Sequence, residues 1–149
     1  LIQIAYSYEQ LTRHRLPPAT TPSLTASTTV TREWIATGDR SVPSVETEIT
    51  ARTRFTWTPS TRELRYAVNV YGVRDAEVLF MDLHRGQVGK VGPVAVSLSK
   101  AQTGRVSGTV ILDAEDRDWL EAGELYFDVH TRDHFTGVVR VQLDGVLLP

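Results

Sequence analysis

A strict alternation of apolar and polar residues between positions 47 and 57 constrains the fold of this chain more than any other feature. One face of the segment carries Ile49, Ala51, Thr53, Phe55 and Trp57, and the other carries Glu48, Thr50, Arg52, Arg54 and Thr56. In an extended chain, successive side chains point to opposite faces, so a period of two predicts a strand with one buried face. Such half-buried strands are typical of antiparallel sheets.

The next segment repeats the alternation and predicts a hairpin. Residues 58–62, with the sequence Thr-Pro-Ser-Thr-Arg, are typical of a turn. The second apolar face then consists of Leu64, Tyr66, Val68 and Val70. Two alternating runs joined by a short turn indicate two neighbouring antiparallel strands.

Short apolar runs bounded by Gly, Pro or Asp predict six further strands. They cover residues 29–36, 78–84, 94–99, 105–112, 125–131 and 138–143. Only residues 114–122 favour a helix, because Asp113 can cap the first turn and Gly123 can end the last one. About eight short strands with one short helix predict an all-β antiparallel fold, either a sandwich or a barrel.

The composition excludes several classes of function. The 149 residues suffice for one domain with a core, and the absence of cysteine excludes disulfides and thiolate metal sites. A formal net charge of −2 provides no basic field that would attract nucleic acid. No apolar run approaches the roughly 18 residues that a membrane-spanning helix needs. Any metal site must therefore use histidine and carboxylate ligands.

The N-terminal segment predicts an arm that precedes the domain. Its weakly alternating part carries on one face Ile2, Ile4, Tyr6 and Tyr8. Prolines follow at positions 17, 18 and 22 and favour an extended linker. We expect residues 1–28 to form an arm with a Pro/Thr-rich linker, and residues 29–149 to form the domain. The arm either adds a strand to a second copy, giving a homo-oligomer, or covers an edge of its own domain, which we favour.

Polar side chains on three predicted strands form the best candidate for a functional site. Because side chains alternate along a strand, Asp82 and His84 share one face of the first strand. In the same way, one face of the second strand carries Tyr126, Asp128 and His130, and one face of the third carries Arg140 and Gln142. If the three strands are neighbours in one sheet, these faces converge. Imidazole and carboxylate groups are suitable ligands for zinc, copper or manganese.

Three interpretations of these side chains stay open at this point. The favoured one is a hydrogen-bonded structural network under a loop, in which His130 binds a backbone carbonyl or Asp82. The further members of this polar network are Tyr126, Arg140 and Gln142. The second is a site for one divalent metal ion, with the ligands Asp82, His84, Asp128 and His130. Against it, Arg140 would repel a dication and can pair with Asp128. The third is acid–base catalysis. We expect no cofactor, with one divalent metal ion as the alternative, and assign no catalytic residue.

A set of short segments occurs in a characteristic order along the domain. They are Val42-Pro43, Asp82-Leu83-His84, Gly92-Pro93-Val94, and residues 120–123, 126–131 and 137–143. In order and spacing they resemble the CHRD domain, a module named after chordin that also occurs in secreted bacterial proteins. The family pattern has a Val-Pro element, an H-x-H strand, a Gly-Pro-Val turn, a helix ending in Leu-x-x-Gly, a Tyr-x-Asn-x-His-Thr strand and a final Gly-x-x-Arg-x-Gln-Leu. The resemblance extends over residues 29–143.

The resemblance implies a Greek-key or Ig-like β-sandwich and an extracellular, periplasmic or cell-surface location. The chain departs from the family pattern in three places: Asp82 replaces the first histidine, Asp128 replaces the asparagine, and His134-Phe135 replaces Asn-Pro. From the sequence we therefore expect a non-enzymatic exported module that binds protein or takes part in extracellular assembly. The alternative is a metal-binding domain, with zinc or copper held by the His and Asp side chains.

Overall fold

Two four-stranded antiparallel sheets pack against each other in the computed structural model, which describes residues 28–145. The strands are β1 (Val30–Ala36), β2 (Thr50–Thr58), β3 (Glu63–Tyr71), β4 (Val78–Arg85), β5 (Val94–Ser99), β6 (Arg105–Ile111), β7 (Leu125–Thr131) and β8 (Val139–Gln142). Sheet A has the order β1-β2-β3-β6, and sheet B has the order β5-β4-β7-β8. Among the described residues one α-helix, α1 (Ala114–Glu121), connects β6 to β7. The predicted all-β sandwich of eight strands with one short helix is confirmed.

The alternating segment forms β2, and its register with β3 is that of the predicted hairpin. Phe55 pairs with Tyr66, and Trp57 pairs with Leu64. These four side chains are buried, whereas the neighbouring Arg54 is exposed. The period of two therefore separates the core face from the solvent face, as a half-buried antiparallel strand requires.

The core lies between the inner faces of the two sheets. Phe55 of β2 and Phe127 of β7 meet edge to face, with their ring centroids 6.2 Å apart. Trp57 and Met81 are fully buried beside them, and the half-buried Trp34 packs against the same cluster. Full burial of one such large side chain contributes about 1.5–3 kcal/mol to folding. The apolar contacts between the sheets thus supply the cohesion that a cysteine-free domain needs.

The connections between the sheets bring distant parts of the sequence together. β4 pairs with β5 and β7 pairs with β8 within sheet B, whereas the chain crosses between the sheets from β3 to β4, from β5 to β6 and, through α1, from β6 to β7. Because β5 also contacts β6 across the edge, the strands β7, β4, β5 and β6 follow one another in space. This is the order of a Greek key. The topology makes β4, β7 and β8 neighbours, as the candidate site requires.

The helix α1 has the boundaries that its capping residues predict. Asp113 Oδ1 accepts a hydrogen bond from the backbone N–H of Asp116, at 2.7 Å. Gly123 follows the helix with a φ of +74°, a left-handed conformation that glycine adopts without strain. Leu120 is buried in the core, so the helix covers one end of the sandwich next to β7.

The predicted N-terminal arm falls outside the described residues. Its candidate assembly residues Ile2, Ile4, Tyr6 and Tyr8 all precede position 28. The division into an arm (1–28) and a domain (29–149) therefore stays a prediction. Within residues 28–145 no helix is long and apolar enough to cross a membrane.

Candidate functional site

Strands β4 and β7 place four ionisable side chains on the outer face of sheet B. The antiparallel register sets Phe80 opposite His130, Asp82 opposite Asp128, and His84 opposite Tyr126. Because side chains alternate along a strand, Met81 and Leu83 enter the core while their neighbours point outwards. We refer to Asp82, His84, Asp128 and His130 as the His/Asp cluster. All four are only 5–8% exposed, because loops cover this face of the sheet.

Asp128 lies at the centre of the cluster. Its Oδ1 atom is 3.0 Å from Nε2 of His84 and 2.9 Å from Nε2 of His130, so it accepts a hydrogen bond from each ring whose Nε2 carries a proton. The Oδ2 atom of Asp82 is 3.9 Å from Nε2 of His130. One ligand atom from each of the four residues can be chosen so that all lie within 4.8 Å of one another. The sequence-predicted metal ligands thus occupy one small, buried volume.

The second ring nitrogen of each histidine binds a backbone carbonyl. His84 Nδ1 lies 2.9 Å from the oxygen of Gly92, and His130 Nδ1 lies 2.7 Å from the oxygen of Phe135. A neutral imidazole has only one N–H, whereas both nitrogens of each ring face oxygen acceptors here. Two states satisfy this geometry. Each ring is either an imidazolium, or a neutral ring that donates from Nδ1 and presents the lone pair of Nε2 to a cation.

Burial and hydrogen bonding act in opposite directions on the pKa values of the cluster. Burial lowers the pKa of both His84 and His130, but the hydrogen bonds to Asp128 and its charge outweigh burial and raise both values. Burial raises the pKa of Asp128, yet its two imidazole donors bring it below the ordinary value. The pKa of Asp82 is raised, chiefly by burial. Asp128 is therefore the carboxylate that stays ionised most readily.

Aromatic rings fix the orientation of the two imidazoles. His84 stacks on Tyr126 with an interplanar angle of 3° and a centroid distance of 4.8 Å. His130 lies 4.5 Å from the ring centroid of Phe80, which in turn contacts Phe135 edge to face. Packing on one side and a carbonyl bond on the other leave each imidazole little freedom to rotate. Such preorganisation is what a binding site needs from the residues around its ligands.

Arg140 binds a loop rather than Asp128. Its guanidinium donates to the carbonyl oxygens of Lys90, at 2.7 Å, and of Gln87, at 2.9 Å, and its central carbon lies 3.5 Å from the ring centroid of Tyr126. Within residues 28–145 it forms no ion pair with a carboxylate, so the pairing with Asp128 that the sequence allowed does not occur. Burial lowers the pKa of Arg140.

The other two members of the predicted polar network hold the same loop, residues 86–92. Gln142 donates to the carbonyl oxygens of Gly86 and Gly123, at 2.8 and 3.0 Å. The hydroxyl of Tyr126 accepts the backbone N–H of Gly92 at 3.1 Å. Side chains from β7 and β8 thereby fix the backbone that covers the His/Asp cluster.

A comparison with protein families matches residues 33–143 to the CHRD domain, which is about three quarters of the chain. The chain belongs to the CHRD domain family. No curated protein and no solved structure matches it. CHRD domains are generally extracellular, and the family indicates a binding module. The motifs that suggested the family are spatial neighbours in this CHRD domain, since Asp82-Leu83-His84 lies on β4 and residues 126–131 form β7.

A cavity of about 320 Å³ opens beside the His/Asp cluster of the CHRD domain. His130 and Arg140 contribute polar surface to it, and apolar walls come from Phe80, Val91 and Phe135. Ser41 also lines the cavity, and its buried Oγ atom has no hydrogen-bond partner among the described residues. Sequence reasoning missed Phe80 and Ser41 as neighbours of the cluster. The available signals were the position of Phe80 two residues before Asp82, and that of Ser41 directly before Val42-Pro43.

Gly137 permits a close approach to the cluster. It has a φ of +117°, and a Cβ atom at this position would lie 3.4 Å from Oδ2 of Asp128. A larger residue would strain the backbone and crowd the carboxylate. Glycine at the start of the Gly-x-x-Arg motif therefore has a physical role at the site.

The donor set of the cluster fits a divalent transition metal better than calcium or magnesium. Two imidazoles and two carboxylates suit zinc, copper or manganese, whereas calcium and magnesium prefer oxygen ligands alone. In a tetrahedral site, ligand atoms about 2.0–2.2 Å from the ion lie about 3.3–3.6 Å from one another. The widest separation in the cluster, 4.8 Å, has to shorten by about 1.2–1.5 Å to reach this geometry. The residues thus fit such an ion in chemistry, and the ligand atoms have to move closer together around it.

Proposed function

We propose that this CHRD domain is a non-enzymatic extracellular binding module and that it holds one divalent transition-metal ion, zinc or copper, at the His/Asp cluster. The family supports the extracellular binding role, and the donor set supports the metal. An exported module in the extracellular space, the periplasm or at the cell surface fits a chain without cysteine, because core packing replaces disulfides.

The orientation of the two imidazoles carries the metal proposal. Metal-binding histidines commonly donate their second N–H to a backbone carbonyl, which fixes the tautomer and points the other nitrogen at the ion. His84 and His130 both have this arrangement, through the carbonyls of Gly92 and Phe135. Their Nε2 atoms converge on the same oxygen of Asp128. Preorganised convergence of this kind lowers the cost of gathering ligands around an ion.

The desolvation of two carboxylates supports the same proposal. Asp82 and Asp128 face each other across β4 and β7, and both are almost completely buried. Burying a charge costs several kcal/mol unless it is neutralised. A divalent cation neutralises both carboxylates at once. Without the ion, protons on the imidazoles do so, which is the structural network that competes with the metal.

Metal content and titration test this proposal. We expect protein purified without chelator to contain one equivalent of zinc or copper by mass spectrometry of the elements, and the chelator-treated protein to bind zinc with a 1:1 stoichiometry by calorimetry. The double variant His84→Ala/His130→Ala should lose both signals. His134→Ala is the matched control, because His134 lies on the β7–β8 connection and, among residues 28–145, only its backbone forms hydrogen bonds.

A milder variant guards against loss of folding. Asp82 takes no part in the hydrogen bonds between Asp128 and the imidazoles, so Asp82→Asn removes one ligand charge and leaves those bonds in place. We expect a folded protein with at least tenfold weaker zinc binding. Wild-type protein that contains no metal and gives no binding heat with zinc or copper would contradict the metal proposal and leave the structural network.

Assembly through the N-terminal arm is the second candidate function. Two edge strands, β5 and β6, each pair with a single neighbour in their sheets, and they expose Val94 and Ile111. An open sheet edge with apolar side chains is a suitable acceptor for an added strand. We expect deletion of residues 1–15 to convert a homo-oligomer to single chains by light scattering, with an unchanged circular dichroism spectrum. If the shortened protein still has the molar mass of the oligomer by light scattering, this candidate function is contradicted.

A further inference from the structure

We propose that the cavity beside the His/Asp cluster binds a small organic carboxylate with an apolar body, such as an aromatic or branched aliphatic acid. The proposal goes beyond the metal site and does not require it. Three features of the cavity carry it: a buried cation that forms no ion pair with a carboxylate of the described residues, a buried hydroxyl without a hydrogen-bond partner among them, and an apolar wall.

The cation is the guanidinium of Arg140, which is 4% exposed and lines the cavity. Its hydrogen bonds go to neutral acceptors, the carbonyls of Gln87 and Lys90 and the side chain of Gln142. A buried guanidinium usually has a carboxylate or another anion near it, because neutral dipoles compensate its lost hydration only in part. The charge of Asp128 acts on Arg140 without a direct hydrogen bond, and an anion in the cavity would supply a directly bonded opposite charge.

The hydroxyl is that of Ser41, which is 7% exposed and lies next to the cavity. Its Oγ atom forms no hydrogen bond with the described residues, and an unsatisfied buried hydroxyl is unfavourable. A carboxylate oxygen is a strong acceptor for this O–H. The hydroxyl and the guanidinium thus favour the same chemical group.

The apolar wall selects the body of the ligand. Phe80, Val91 and Phe135 line the cavity, and the rings of Phe80 and Phe135 meet at 90° with centroids 5.6 Å apart. Val91 is 71% exposed and Phe135 is 65% exposed, so both present apolar surface to solvent at this cavity. A ligand with an apolar body would cover both. The cavity volume of about 320 Å³ lies at the lower end of the range for small-molecule sites.

A neighbouring cavity is a poorer site for an anion. Its volume is about 500 Å³, and Ser41 and Arg140 line it as well. It also contains the carboxylates of Asp39 and Asp144, which would repel a carboxylate. In the cavity beside the cluster, the carboxylate of Asp128 is instead compensated by two imidazoles. The charge distribution therefore assigns the ligand to the smaller cavity.

Benzoate and its neutral analogue benzamide test the proposal. We expect benzoate to bind, measured by calorimetry on the full chain with and without one equivalent of zinc, and benzamide to bind at least tenfold more weakly. The comparison with and without zinc shows whether the ion contributes to the carboxylate site; binding of benzoate in either form supports the proposal. Absence of benzoate binding in both forms, or equal binding of benzoate and benzamide, overturns it.

Two variants locate the site. Ser41→Ala should lower benzoate affinity about fivefold to tenfold, the loss of one hydrogen bond, and should fold normally because its Oγ atom has no hydrogen-bond partner within residues 28–145. Val91→Trp should fill the mouth of the cavity and abolish binding. Val88→Trp is the matched control, since Val88 is 75% exposed on the same loop and lines the neighbouring cavity instead. Undiminished benzoate binding in Val91→Trp, or equal losses in Val88→Trp and Val91→Trp, overturns the assignment. Because zinc binding is measured separately, failure here does not affect the metal site.

Discussion

Replacing Asp128 by asparagine removes the charge on which both histidines converge and keeps the size of the side chain. In the metal-free protein, Asp128 Oδ1 accepts charge-assisted hydrogen bonds from His84 and His130, at 3.0 and 2.9 Å. A hydrogen bond to a charged group contributes about 1.5–3 kcal/mol, so the two together contribute about 3–6 kcal/mol. Each imidazole can lose its proton in response, which reduces the expected loss for Asp128→Asn to about 2–4 kcal/mol.

The loss should depend on pH in a defined direction. Because the pKa values of His84 and His130 are raised by folding, their contribution to stability is fully present below the ordinary imidazole value of about 6.5. It disappears as the pH rises through the folded-state pKa values. As the rings of the wild type lose their protons toward pH 9, Asp128→Asn should therefore cost less there than at pH 6.

Urea unfolding in the presence of a chelator, followed by tryptophan fluorescence, measures the effect at both pH values. In thermal unfolding at pH 6, the melting temperature of Asp128→Asn should fall by about 8–16 °C, at roughly 4 °C per kcal/mol for a domain of this size. Asp133→Asn, at an exposed position on the β7–β8 connection, should leave stability nearly unchanged. Equal losses at pH 6 and pH 9, or a loss at pH 6 below about 1 kcal/mol, would refute the charged hydrogen-bond network.

Three further predictions concern the loop at residues 86–92 and the metal. Arg140→Lys keeps the charge but loses the paired hydrogen bonds of the guanidinium to the loop, which should lower the free energy of unfolding by about 1–3 kcal/mol. The backbone amide of Lys90 should then exchange with solvent at least tenfold faster, as measured by NMR. Gly92→Ala places a Cβ atom against the carbonyl oxygen of Arg85, and the displaced loop should weaken zinc binding at least tenfold by calorimetry. Zinc at about 100 times its dissociation constant should stabilise the wild type by about 2.7 kcal/mol in urea unfolding, and Asp82→Asn much less.

The fold was predictable from the sequence because its signals are local. The alternation in β2 and β3 reports which face is buried, and the limits of α1 follow from Asp113 and Gly123, which act within one turn of the helix. Predicted and observed strand limits differ by a few residues at most, as at β2, which begins at Thr50 rather than at position 47. Strand ends depend on partners in the sheet, and those partners are not encoded locally.

The candidate site was predictable only in part. The period of two places Asp82 with His84 and Asp128 with His130, but nothing local determines that β4 and β7 are neighbours. The contacts of Arg140 could not be foreseen, because its acceptors are backbone carbonyls of a loop whose conformation has no periodic signal. From a sequence pattern one expects a charged residue to pair with one of opposite charge. In the folded chain, however, neutral carbonyl groups can accept the hydrogen bonds of a guanidinium.

The same reasoning explains why the outer face of β7 differs from an ordinary solvent face. From Leu125 to Thr131 the strand alternates polar and apolar residues, the pattern of a half-exposed strand, yet all seven residues are buried. The loop at residues 86–92 and the β7–β8 connection cover the polar face and bind its side chains through backbone carbonyls.

Burial without compensation would cost several kcal/mol for each charge, so every ionisable group under this cover needs a partner. Protons on the imidazoles or a divalent cation both meet that need for the His/Asp cluster. Arg140 feels the charge of Asp128, but it forms no ion pair with a carboxylate of residues 28–145. A guanidinium without a directly bonded anion, beside an open cavity, is the reason for expecting a carboxylate there.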